Sequence, residues 1–577
     1  MKRNFCTFLL TLCFALASSG VTTQAQDNYY IFPIDAPPLL SANFGELRSN
    51  HFHSGIDIKT GGVEGAEVYA AADGYISRIG IKPSGYGRVL YIAHPNGTTT
   101  VYAHLREFTP EVEAYVKQQR YRMRQHNPDI YPPASMFPVK QGDLIAHSGN
   151  SGSSGGPHLH YEVRKSSDQS VLNPITRGHI KTTDTKYPLI VSVFWIARED
   201  VAGVATYIPR RTPVKALAAG KYGLSAPLSV SGEGCFAVEV RDTKDNVSNK
   251  FAIYRTSVAV DGEEIFGLQI DGFPFADTKY VNDVMEYPLS TASSYDIIRL
   301  ARHHSNPLAI YNSGKGSGFF TPQAGQKVRI EVEDDCGNLS TLEFSLAVSE
   351  PRQRVVSVPT GSVPVIWDKE YKRTTGAFSV TIPKGAFYRN TFFAQYKEQV
   401  TPSMPTTSRE IYSDIYTIKG PDTPPHKSMT LSLACYLPDS LRAGACLARV
   451  DMESGAVTYA GGKWNNGAVT ISTSAFGSYA IARDTVPPTA TISFAEGADM
   501  SGKSSFNMRF EDDFSGIASY VATIDGHWII LEQKSTSSPH IHHFDRDWLN
   551  RGTEHTLEVT LTDGAGNKSV IRRKFRY

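Results

Sequence analysis

The sequence is short of long apolar runs. Past its first two dozen residues none approaches the roughly 20 residues that a membrane-spanning helix needs, and the nearest, Leu189 to Ala197, is interrupted by Ser192. A second helical membrane anchor is excluded on that ground. An excess of charge of one sign is missing as well: 58 Lys and Arg stand against 57 Asp and Glu, a formal +1 at pH 7. Such a balance argues against a nucleic-acid partner and gives no special pull towards an anionic membrane. Cysteine is scarce, with six residues in 577, two of them close to the N-terminus. The other four, Cys235, Cys336, Cys435 and Cys446, allow three full pairings. Cys435 and Cys446 are close enough in sequence to bridge a hairpin, whereas Cys235 and Cys336 read as buried small apolar residues in separate modules.

What is present points to a multi-module β protein. A chain of 577 residues exceeds one hydrophobic core, and about 150 residues per domain predicts about four domains. Abundant Tyr, Phe, Gly and Pro favour strands and turns over long helices. Residues 1–25 read as a secretory signal, with Lys2 and Arg3 as the charged start, Phe5 to Ala17 as a short apolar centre and Thr23-Gln24-Ala25 as the cleavage site. Its removal would take the formal charge from +1 to 1 − 2 = −1 and predicts export to the periplasm or cell surface. Cys13 is not read as a lipid anchor, because Leu10-Thr11-Leu12 lacks the small residues that lipoprotein signals place there.

Between about residues 30 and 185 the chain is dense in Gly and His. Short alternating runs such as Val89 to Ala93 and Thr100 to His104 are separated by turn signals such as Pro95-Asn96-Gly97, as in a small antiparallel β domain. One segment, near 109–125, opens on Thr-Pro-Glu and stops before Asn127-Pro128, which predicts a helical insertion. Further on, one frame recurs: Asp242, Asn246 and Ser248; Asp334, Asn338 and Ser340; Asp563, Asn567 and Ser569. Each copy follows an alternating strand and is read as a tight turn joining the last two strands of a β-sandwich. No loop carries the run of oxygen ligands that a calcium cage demands, so these Asp residues are read as turn formers. The expected organisation is a signal over 1–25, a catalytic β domain over 26–186, Ig-like β-sandwiches over 187–260 and 261–350, a distinct β-sandwich module over 351–484 and a last Ig-like sandwich over 485–577.

The chemistry concentrates in His53-Ser54-Gly55-Ile56-Asp57, Tyr102-Ala103-His104-Leu105 and Gly155-Gly156-Pro157-His158-Leu159-His160-Tyr161-Glu162. Two imidazoles and one carboxylate suit zinc, and three protein ligands leave a fourth tetrahedral position for water. In His158-Leu159-His160 a period of two places both imidazoles on one face of a strand, with Leu159, Tyr161 and Val163 turned to the core. The four glycines between Ser148 and Pro157 give bare backbone that an extended peptide can approach closely.

With Phe44-Gly45 upstream and Asp73-Gly74-Tyr75-Ile76 between, the order of these motifs resembles the lysostaphin-like, or LytM-type, zinc metallopeptidases of the M23 class, over roughly residues 40 to 175. The resemblance implies one Zn2+ held by His53, Asp57 and His160, and His104 and His158 as unliganded catalytic histidines. It also implies an endopeptidase acting on bacterial peptidoglycan, its sandwich modules contacting the wall or protein partners. The residues leave open which histidine is the base; His158 is assigned that role because it is expected beside the metal, and His104 is assigned support of the oxyanion. The alternatives are a non-catalytic regulator of other wall hydrolases, against which the intact ligands speak, and an adhesion or scaffold protein dominated by its sandwiches. His51 is expected at the surface or behind the ligands, His147 facing solvent, and His540, His542 and His543 in an exposed loop.

Overall fold

Alternation of apolar and polar residues builds strands almost throughout the computed structural model, which describes residues 29–311, 316–350, 358, 360–399, 404–545 and 548–577. The signal assigned to residues 1–25 lies outside the described residues. The N-terminal domain is laid on β1 (Leu40–Ala42), β2 (Ile56–Lys59), β3 (Gly74–Ile81), β4 (Arg88–Ala93), β5 (Thr98–Leu105), α1 (Pro110–Met123) and β6 (His158–Lys165). The strands run antiparallel in the order β1-β2-β6-β5-β4-β3. β6 is central, and its register sets His160 opposite Asp57 on β2 and Ala103 on β5. Ile56, Ile58, Tyr102, Leu159, Tyr161 and Val163 fill the core of this domain. α1 is the expected insertion: Pro110 opens it with Glu111 and Glu113 in the first turn, where the dipole favours acids, and Arg124 ends it in the left-handed conformation.

The frame Asp-x-x-x-Asn-x-Ser makes the expected hairpin turn twice. Asp334 accepts bonds from the backbone N–H of Cys336 and Asn338 and from the Asn338 amide, and Asp563 does the same with Gly566 and Asn567. These turns join Lys327–Glu333 to Leu339–Val348 and Glu554–Asp563 to Lys568–Arg576. The copy at Asp242 is different. It follows Gly234–Arg241, bridges to Phe251, and its carboxylate receives no bond from Asn246 or any other group.

That difference goes with a correction to the expected division at 260/261, which the sheets do not follow. Leu189–Val201 and Gly234–Arg241 pair with Asp296–Arg299 in one sheet, while Lys221–Gly223 and Arg255–Val260 join Lys327–Glu333 and Leu339–Val348 in the other. Neither half can close both sheets alone, so residues 189–348 share one core around Trp195, Phe236, Phe266 and Leu342. Cys235 and Cys336 therefore lie in one unit; Cys235 is buried as expected and Cys336 is half-buried in a turn. Residues 362–483 form a separate pair of sheets of six and five strands. Cys435 and Cys446 are both free thiols there. The expected bridge fails because Cys446 sits within the six-stranded sheet while Cys435 follows Met429–Ala434 of the other.

The last unit, 489–577, pairs a three-stranded with a five-stranded sheet. His540, His542 and His543 are in a strand of it, not in an exposed loop: His540 stacks on Phe510 and His542 donates to the Ile530 carbonyl, both buried, and only His543 is exposed. This unit returns to the N-terminal domain. His126, just past α1, stacks between Tyr520 and Trp528, and the Arg120 guanidinium pairs with Glu532 at 2.7 Å.

The N-terminal domain is also fused to the unit behind it. Val171–Leu172 pairs with β6 on one side and Gly272–Phe273 on the other, and Phe44, Phe52 and Val171 are buried among the side chains of residues 190–346. Each such side chain contributes about 1.5–3 kcal/mol by burial. A fragment of residues 26–186 is therefore expected to melt well below the full-length chain or to aggregate, as read by thermal unfolding with light scattering; a monomeric fragment of undiminished stability would contradict the fused core.

Candidate active site

β6 presents His158, His160, Glu162 and Arg164 on one face by the period of two, against Leu159, Tyr161 and Val163 on the other. Gly55 lets the segment from His53 to Asp57 lie against this strand. A Cβ there would stand 2.2 Å from the Tyr161 carbonyl oxygen. The His53 backbone is tied to the preceding turn, its N–H donating to Glu46 and its carbonyl accepting from Gly45, both at 2.9 Å.

The proton positions follow from the partners. His53 Nδ1 lies 2.6 Å from the Asn43 carbonyl oxygen, which can only accept, so Nδ1 carries the proton and Nε2 is a bare lone pair. His160 Nε2 lies 2.8 Å from Glu162 Oε1. Burial alone would raise the Glu162 carboxyl, but Arg164 and His160 hold it well below the usual carboxylate range, so it too accepts, and in the neutral imidazole Nδ1 is the bare atom of His160. These two lone pairs and Asp57 Oδ1 converge: His53 Nε2 to Asp57 3.0 Å, His160 Nδ1 to Asp57 2.8 Å, and the two nitrogens 3.1 Å apart. Three buried acceptors facing one another repel unless a positive charge sits among them. Without an ion that charge is a proton on His160: burial would depress its basicity, but Asp57 and Glu162 raise it to about 9, so Nδ1 becomes a free donor atom only when a metal displaces the proton. Ligands about 2.0–2.1 Å from a tetrahedral zinc are themselves about 3.3 Å apart, so the donor set and its spacing fit that ion.

Behind these donors stands a shell that sequence reading did not single out. Glu162 is fully buried and also accepts from Ser54 Oγ, Tyr86 Oη and Arg164 Nε at 2.5–2.6 Å. Asp57 Oδ2 faces Arg48 at 3.3 Å. Asn43 is anchored by the Ala252 backbone and by Asp335, more than 200 residues away. For Glu162 and Arg164 a signal existed, since they continue the even-numbered face of His158 and His160; for Asn43 there was none. Glu162→Gln is expected to weaken zinc binding 10–100-fold, on the usual cost of losing the carboxylate behind a metal-bound histidine. Competition with a chromogenic chelator measures this, and unchanged affinity would refute the orienting role.

His104 and His158 stand beside the trio. His104 Nδ1 donates to the Ser151 carbonyl at 2.8 Å and His158 Nδ1 to that of Gly156 at 2.7 Å, leaving both Nε2 atoms as acceptors. His158 Nε2 is 3.5 Å from Asp57 Oδ1, and the two rings are 4.8 Å apart. His104 is held at φ +60° at the end of β5, a conformation rare for a non-glycine residue, with its N–H bonded to the Tyr86 carbonyl. Burial, then the charges of His160 and His158, push it down to about 3, so it is neutral at pH 7. His51 is exposed, whereas His147, expected to face solvent, is half-buried in a strand 3.4 Å from Glu107. In the glycine loop, positions 155 and 156 have open space where a side chain would be, while the Gly152 N–H is bonded to the Lys534 carbonyl of the last unit.

Residues 51–121 match the family model of Peptidase family M23, and residues 363–484 that of a Zu5-like domain. The chain is 35% identical over 130 residues to the DD-carboxypeptidase/endopeptidase Mpg of Neisseria meningitidis serogroup B, covering 22% of this chain and 24% of that protein. It is 27% identical over 123 residues to the cell division protein DipM of Caulobacter vibrioides, covering 21% and 16%. The chain thus spans less than a third of the length of these curated relatives. Among solved structures, a zinc containing peptidase from Vibrio cholerae aligns at 28% identity over 24% of this chain and 36% of that one, with a TM-score of 0.18.

Proposed function

We propose, from an N-terminal domain of M23 peptidase type, that this chain is a zinc-dependent endopeptidase hydrolysing peptide bonds of bacterial peptidoglycan outside the cytoplasm. The observation that carries this reading is the convergence of His53 Nε2, His160 Nδ1 and Asp57 Oδ1, with the opposite nitrogen of each imidazole bonded to the Asn43 carbonyl or to Glu162. A zinc ion held by these donors supplies Lewis acidity and lowers the pKa of water to about 7. The substrate class is supported by the likeness to a DD-carboxypeptidase/endopeptidase, which makes bonds flanked by D-residues the first to examine.

The remaining steps belong to the chain itself. His158 Nε2, bare and beside Asp57, takes the proton of the attacking water and returns it to the leaving amine. His104 was expected to support the oxyanion, but its Nε2 has no proton to donate and burial opposes its gaining one. We assign it instead to accepting a hydrogen bond from the water and so orienting it. The open backbone at Gly155 and Gly156 is the place for an extended peptide strand.

The test is incubation of the full mature chain with purified sacculi, with and without a chelator, followed by mass analysis of released fragments. Chelator-sensitive release of peptide-cleaved fragments is expected. Zinc bound at one per chain without any release would favour the regulatory alternative, and no bound zinc would remove the enzymatic reading.

A further inference from the structure

A second cluster of oxygen donors lies where the N-terminal domain passes into the fused unit. Asp184, in the segment leading out of the domain, Asp242, after Gly234–Arg241, and Asp334, after Lys327–Glu333, each place one carboxylate oxygen within 4.8 Å of the others. Asp242 is completely buried, and neither of its oxygens has a hydrogen-bond partner. Asp184 Oδ2 is likewise buried and unpartnered, its Oδ1 being taken by the Asp245 N–H. Asp334 keeps acceptor capacity beyond its turn, since Oδ2 receives only the Asn338 amide. The neighbouring positive group, Lys244, is turned to Asp335, with which it makes an ion pair.

An unpaired carboxylate costs several kcal/mol to bury, so two oxygens of a fully buried aspartate without a donor need a cation or a proton. Burial, then Asp334, push Asp242 up to about 8. A proton would quiet one aspartate; three convergent carboxylates are better served by an ion. Oxygens bound at about 2.3–2.6 Å to a common calcium-sized ion stand at most about 5 Å apart, which this cluster satisfies. The donors are all hard oxygens, with no imidazole or thiolate among the three, unlike the candidate zinc centre.

We propose that Asp184, Asp242 and Asp334 bind a divalent cation of the calcium type, which fastens the exit of the N-terminal domain to the two strand ends of the unit behind it. The spacing of Asp184, Asp242 and Asp334 in sequence hides the site, because each donor comes from a different loop. Its position matters to the candidate active site: Asp335, adjoining Asp334, holds Asn43, whose carbonyl orients His53. A cluster of similar build, Asp484, Asp512 and Asp563, occurs where the chain enters the last unit. There Asp512, half-buried like Asp184, also keeps one unpartnered oxygen, but the two fully buried members, Asp484 and Asp563, are satisfied by backbone or amide donors where Asp242 is not, so the assignment is made for the first cluster alone.

The experiment is thermal unfolding of the full-length chain, stripped of calcium and titrated with calcium chloride or magnesium chloride alone, beside Asp242→Asn, Asp184→Asn, Asp512→Asn and Asp57→Ala. Calcium is expected to raise the midpoint of the wild type saturably, by about 5 °C at a hundredfold excess over Kd, and magnesium to do so less. Asp242→Asn, which removes a repelling charge without changing shape, is expected to melt at or above the calcium-free wild type and to lose the calcium shift. Asp184→Asn should weaken it, and Asp57→Ala and Asp512→Asn should keep it. Because Asp57→Ala empties the other metal centre, failure here is separable from failure of the peptidase reading. Absence of any saturable calcium shift in the wild type, or a full shift in Asp242→Asn, would overturn the site; should Asp242→Asn not fold, calorimetric calcium stoichiometry with Asp184→Asn decides on the same terms.

Discussion

Asp57→Ala is expected to lower release of fragments from sacculi by at least about 1,000-fold and to purify with almost no zinc. One of three donors is lost, and with it the charge that makes the site attractive to a cation; a thousandfold fall corresponds to about 4 kcal/mol of transition-state stabilisation, within what a Lewis-acid metal supplies. Asp57 is buried beside His53, His158 and His160, and these offset the burial that would otherwise raise its carboxyl, holding it well below its ordinary range. The side chain is therefore ionised throughout the physiological range. Metal content and rate have to fall together: a variant with one zinc per chain and activity within tenfold of the wild type would remove Asp57 from the ligand set.

The second large effect is expected at His158 and His104, with the opposite signature in metal content. Either His→Ala variant should retain one zinc per chain, since neither imidazole belongs to the converging trio, and should lose turnover by about 100- to 10,000-fold, the usual worth of a positioned proton-transfer group. The two are distinguished by exogenous imidazole. It is expected to restore part of the rate to His158→Ala, where a missing base can be supplied from solution, and little to His104→Ala, where an oriented acceptor is lost. Near-normal turnover in either variant dismisses that residue from the reaction.

The residues brought together at the candidate site were legible through local pattern joined to the family resemblance that their order carries. A strand alternates faces every second residue, so His158-Leu159-His160 declares two inward imidazoles and a core leucine wherever the strand lies, and Thr109-Pro110-Glu111 declares a helix start. The same rule would have found Glu162 and Arg164 had the face been followed two steps further. The three Asp-x-x-x-Asn-x-Ser frames were read as one turn repeated, and two of them are. At the third the local preference yielded to sheet closure across the expected boundary, which buries Asp242 without its turn. His540 and His542 were placed in a loop because a cluster of histidines reads as polar, whereas stacking on Phe510 and a bond to a carbonyl satisfy them inside a sheet.

By itself, then, the sequence determined the mainly β character and the helix at Pro110–Met123, and with the family resemblance it pointed to residues that the fold brings together at the candidate site, because propensity, alternation and ligand chemistry are properties of short segments. Only the tertiary structure decided that residues 189–348 form one body, that Asn43 is held by Ala252 and Asp335, and that Asp184, Asp242 and Asp334 meet. Those arrangements depend on which distant strands pair and which loops are thereby brought together, and no local pattern encodes a contact whose partners lie dozens to hundreds of residues apart.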